Sequence, residues 1–150
     1  MIKNIMASLC AMALGLAFFA TTPASAEDKV HRLALQISDK NPQKMNTVLN
    51  VAANVVRHYS DLGEEVEVRV VAFNLGLHML RDDTSPVKKR LTSFAQSMPN
   101  VVFNACSNTV KGMTKKEGKA PPLVENAVSV PAGVVTLMEL DQEGWTVLRP

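Results

Sequence analysis

Strand-like and helix-like segments take turns along this chain, and that alternation predicts an α/β sandwich on a mainly parallel, five-stranded sheet with right-handed crossovers. Two further observations support it. One segment, Asn100 to Ala105, is the most uniformly apolar strand candidate, as expected of an inner strand covered on both faces. Cap and turn residues stand at most of the junctions.

The first strand is His31–Ile37, which alternates and stops at Ser38-Asp39-Lys40-Asn41-Pro42. Met45, Val48, Leu49, Ala52, Val55, Val56 and Tyr59 then recur at helical spacing and mark the inward stripe of a helix. Gly63 is suited to the left-handed cap that ends it. From Glu65 to Val70 charge alternates with valine, which reads as a strand near the sheet edge with one wet face. It continues through Phe73 toward Asn74-Leu75-Gly76, and Leu77–Leu80 reads as a single helical turn. Ser85 as cap and Pro86 at the first position open a second helix, with Val87, Leu91, Phe94, Ala95 and Met98 inward. After the inner strand, Ser107 to about Lys116 is a short helix with Val110 and Met113 inward. Ala127–Val130 is a fourth strand. Pro131-Ala132-Gly133 opens a helix carrying Val134, Leu137, Met138 and Asp141 at helical spacing, and Trp145–Leu148 is the last strand.

Residues 1–26 have the features of a cleaved export signal: Lys3 at the start, an apolar stretch from Ile5 to Ala20, and the small-residue pattern Ala24-Ser25-Ala26. The apolar stretch is shorter than the roughly 20 residues of a membrane span. Residues 27–150 then form a single domain, periplasmic or secreted, with no membrane attachment after cleavage. Sixteen basic residues against 14 acidic ones give a near-neutral balance, which argues against nucleic acid as a partner. Lys115, Lys116 and Lys119 read as a solvated helix end.

Cys10 lies in the leader, so Cys106 is the sole thiol of the expected mature chain. A lone cysteine in an oxidising compartment is buried and inert, paired between chains, or reactive. Cys106 stands where the inner strand meets Ser107-Asn108-Thr109, a helix start. Unpaired amides and the positive end of the helix dipole favour the thiolate there. The carboxyl ends of parallel strands are also where ligands bind. The amides of Asn108 and Thr109, with the Ser107 and Asn108 side chains, are candidate donors to the sulfur. Asn74 and His78, which follow the second strand, are candidates for the same rim.

The run Asn100–Thr109, with Gly76–Leu80 before it and Val130–Val135 and Met138–Trp145 after it, resembles the DsrE/DsrF-like family, and more closely its exported branch. That resemblance covers nearly all of residues 27–150. It implies a flavodoxin-like, three-layer α/β/α sandwich that assembles as a homo-oligomer, a trimer or hexamer. It also implies that Cys106, at the end of the third strand, carries sulfur as a persulfide. On this reading the chain is an exported sulfur carrier or weak sulfurtransferase, working with a donor or acceptor protein or a small sulfur compound and without a cofactor. The rival expectation is a non-catalytic binding or assembly subunit in which Cys106 fills space. One cysteine and one histidine are too few for an ordinary zinc or copper site, so no metal is expected. No Ser-His-Asp signature, phosphate-binding glycine loop or HExxH motif is present.

Overall fold

The computed structural model describes residues 30–150; the expected leader, its cleavage site and Cys10 lie outside the described residues. Five parallel strands form one sheet: β1 (His31–Ile37), β2 (Val66–Ala72), β3 (Val101–Cys106), β4 (Ala127–Val130) and β5 (Thr146–Leu148). Their order is β4-β3-β2-β1-β5. The helices are α1 (Pro42–Leu62), α2 (Lys88–Ser97), α3 (Ser107–Glu117) and α4 (Gly133–Gln142), with a 3-10 helix over Asn74–Leu80. The fold is therefore the α/β sandwich that the alternation predicts.

Strand order explains the layers. The chain steps from β1 to β4 in one direction, so right-handed crossovers put α1, α2 and α3 on one face. The return from β4 to β5 puts α4 on the other. On the first face α1 buries Met45, Val48, Leu49 and Ala52 against Leu35, Val68, Val70 and Phe103. Phe94 of α2 meets the Phe103 ring edge-on at 5.8 Å. On the second face a smaller cluster joins Ala34, Val71, Phe73 and Cys106 to Leu137, Leu140 and Trp145.

Three sequence expectations need correction. The Val66–Ala72 strand is the middle strand of the sheet and not an edge. Its charges alternate because Glu67 and Arg69 point to the thinly covered face, so the pattern reports missing cover above the strand. Ser85 does not cap α2. The helix starts at Lys88, while the Ser85 hydroxyl donates to the Met79 carbonyl and accepts from the Val87 amide; Ala95 is exposed. In α4 the buried positions are Gly133, Leu137 and Leu140, whereas Val134, Val135 and Met138 are each about half exposed. The first half of this helix is apolar around most of its circumference, so it offers several possible stripes, and only packing chooses among them.

Among the described residues no helix is long and apolar enough to cross a membrane. The caps follow local chemistry. Asn41 accepts the Gln43 amide at the start of α1, and Gly63 closes that helix in the left-handed region with φ 70°. Gly76 is required by contact. A Cβ there would collide with the Ile37 carbonyl, so glycine lets the 3-10 helix lie against the end of β1.

Candidate functional site

Cys106 is both the last residue of β3 and the N-cap of α3. Its side chain does not cap its own helix, although the Thr109 hydroxyl and the Asn108 and Thr109 amides lie close to the sulfur. The sulfur accepts the Gly133 N–H at 3.2 Å. Gly133 is the first residue of α4, so the thiol lies where two helix N-termini converge, α3 from one face of the sheet and α4 from the other. Each terminus carries roughly half a positive charge. The register explains the meeting: Cys106 pairs with Val130, and Pro131 to Gly133 follow directly from that neighbour. Gly133 is also a close-approach glycine, since a Cβ there would lie 3.0 Å from the Phe73 Cβ.

A third element supports the sulfur. Asn74 has φ 49°, a left-handed conformation that asparagine tolerates. Its N–H donates to the Thr109 hydroxyl oxygen at 2.9 Å. That oxygen is thereby engaged as an acceptor, and its own hydrogen is left for the thiol. Burial pushes the Cys106 thiol pKa up. The Thr109 hydroxyl, the Gly133 amide and the amides of Thr109 and Asn108 outweigh it, and the net direction is down from the ordinary value. Of these donors the Asn108 amide contributes least; it also donates to the Pro131 carbonyl at 3.3 Å.

Cys106 is only 5% exposed, yet it lines an open pocket of about 620 Å³ at the carboxyl edge of the sheet. Asn74, Asn108 and Thr109 line the same pocket, whereas Ser107 and His78 do not. His78 lies in the 3-10 helix near the ion cluster of Arg81, Asp83 and Glu117, where it adds weakly to Arg81 in holding the Glu117 carboxyl low. That cluster is built on buried Arg81, which bonds Asp83 at 2.8 Å and Glu117 at 2.6 Å. His31 bonds Glu64 at 2.6 Å and stacks on Tyr59, and His58 meets the Tyr59 ring edge-on. Among the described residues no three His, Cys, Asp or Glu side chains gather to hold a metal.

Sequence reasoning missed Gly133, Gly112 and Lys116 as pocket residues. The Pro-Ala-Gly helix start was a visible signal, but its meeting with Cys106 depends on β4 pairing with β3. A second pocket, about 590 Å³, lies at the opposite end of the sheet among Glu65, Glu67, Arg69 and Trp145. It holds no cysteine and lies at the amino ends of the strands, away from the usual ligand edge.

No family model and no curated relative matches the chain. Among solved structures it is similar to MTH1491, a protein of unknown function from Methanobacterium thermoautotrophicum, with 28% identity and a TM-score of 0.65. The match covers 80% of this chain and 99% of the archaeal one, so the two share their fold.

Proposed function

We propose that this chain is an exported sulfur-handling protein of the DsrE/DsrF-like kind, in which Cys106 takes up sulfane sulfur as a persulfide and passes it on. One observation carries the reading: a thiol with a lowered pKa faces a pocket from between two helix N-termini. In the loading step the Cys106 thiolate attacks the terminal sulfur of a donor R–S–SH. The donor S–S bond breaks, R–S⁻ leaves, and Cys106–S–SH forms with no net oxidation. In the unloading step an acceptor thiolate attacks that outer sulfur and Cys106 departs as thiolate. A low thiol pKa makes Cys106 a better leaving group, and the same donors hold the anion in both steps.

Mass spectrometry after incubation with thiosulfate or polysulfide tests this reading. The wild type gains sulfur and Cys106→Ala does not. No gain on the wild type, or equal gain on both, overturns it.

The proposal extends to place and assembly. Export predicts a mature chain beginning at Glu27, read directly by intact mass. The half-exposed Val134, Val135 and Met138 on the outer side of α4 suit a homo-oligomeric contact beside the pocket that Val134 lines. Light scattering of the wild type against Met138→Lys reads that assembly.

One observation favours the rival reading of a non-catalytic subunit with a space-filling cysteine: the 5% exposure of Cys106. The rate of thiol alkylation against pH separates the two. A midpoint below the ordinary cysteine value of about 8.5 supports the carrier, and no reaction in the folded state supports the subunit.

A further inference from the structure

The pocket is a groove running along α3, and its two ends differ in chemistry. Thr109, Gly112, Met113 and Lys116 line it at spacings of three, one and three, which is one face of a helix. The thiol lies at the N-terminal end. Lys116 lies at the other, and is the only charged residue in the lining. Among the described residues no carboxylate lies within ion-pair distance of Lys116, while the adjacent Glu117 is held by Arg81 at 2.6 Å. Gly112 occupies the middle. A Cβ there would meet nothing within 4 Å, so packing does not require glycine; its effect is to keep the groove wide in a helix it weakens. Phe73, Leu75 and Val134 make the walls apolar.

We infer that this groove selects an organic persulfide bearing a carboxylate, with the sulfane sulfur at Cys106 and the carboxylate at Lys116. The inference rests on the reading of Cys106 as a sulfur acceptor and names the class of its donor. Thr109 and Lys116 are seven residues apart, about 10 Å along the helix axis. Helical side chains lean toward the N-terminus, so Lys116 reaches back toward the sulfur. The matching ligand places its carboxylate roughly 6 to 10 Å from the reacting sulfur. The apolar walls take the intervening carbon chain. A small inorganic polysulfide can reach the thiol but cannot span the groove.

The experiment compares Cys106 loading rates with three donors: glutathione persulfide, its diethyl ester, and inorganic polysulfide. Wild type should load from the free acid about three- to fivefold faster than from the ester, the size expected of a solvent-exposed ion pair. Added salt should shrink that ratio. Lys116→Gln should bring acid and ester to the same rate. Gly112→Leu should slow the organic donors more than inorganic polysulfide, because only the organic chain must lie along the middle of the groove. Equal acid and ester rates on wild type, or a ratio unaltered in Lys116→Gln, overturn the inference and leave the sulfur-carrier reading intact. Failure of all three donors to load Cys106 overturns both.

Discussion

Three helices and the 3-10 helix cover one face of the sheet, and α4 alone covers the other. The first face buries Leu35, Met45, Leu49, Leu77, Leu91 and Phe103 completely. The second buries a smaller cluster whose Leu137, Leu140 and Trp145 keep a little exposure. Among the described residues the second face also contains the buried polar atoms that lack a hydrogen-bond partner. Asn104 is 1% exposed, and neither its amide oxygen nor its nitrogen has a hydrogen-bond partner among the described residues. Arg69 has a buried unpaired Nε and lies 5.4 Å from the Trp145 ring. Cys106 projects on this side, two residues beyond Asn104. The difference suggests a division of labour. A close-packed face holds the strand ends in place, and a thinner face leaves room for a polar nucleophile and for partners.

Substitutions on the two faces should therefore behave differently. Leu49→Ala should cost about 4 kcal/mol, because the site is enclosed and cannot collapse, and Leu140→Ala about 2 kcal/mol. Urea denaturation midpoints check the pair, and equal losses would remove the contrast.

Arg81→Gln should come next in size, and its cost should depend on pH. Hydrogen bonding to Arg81 holds Asp83 down at about 2 and lowers Glu117 as well. Carboxyls lowered on folding stabilise the native state above their unfolded values, near 4. That contribution is lost as pH falls through the folded values. Thermal melts should therefore show the largest deficit at neutral pH, narrowing as the pH is taken from about 4.5 toward 2.

Asn104→Leu should have the opposite sign. Leucine has a similar shape and removes the unpartnered amide, so the variant should gain about 1 to 2 kcal/mol in chemical denaturation. A loss would show that Asn104 is satisfied in solution.

Gly133→Ala should have the smallest effect on stability but a clear effect on chemistry. The added Cβ presses on Phe73 and draws the amide from the sulfur. The alkylation midpoint should rise toward the ordinary value of about 8.5. An unmoved midpoint would show that the α4 terminus does not tune the thiol.

Much of this was legible in sequence for local reasons. The stripe from Met45 to Ala52 and the glycine stop at Gly63 depend on helical period and on one backbone angle. The strand-to-helix junction at Cys106 depends on an apolar run followed by polar residues. The edge assignment of β2 failed because exposure above a strand and exposure beside it leave the same alternating pattern. The helical spacing of Val134, Leu137, Met138 and Asp141 did not mark the buried side of α4, because Val134, Val135, Leu137 and Met138 offer competing apolar positions in its first half. For the site, Asn74, Asn108 and Thr109 share the pocket with Cys106, while His78 and Ser107 lie outside it.

By itself the chain determined the alternation of elements, most of their caps and the placing of a cysteine at a helix start, because these depend on neighbours within a few residues. Only the tertiary structure decided that a second helix terminus reaches the same sulfur and that Lys116 ends its groove. The first depends on β4 pairing beside β3, a contact between segments more than twenty residues apart that no local pattern encodes; the second depends on which elements pack beside α3 to wall the groove.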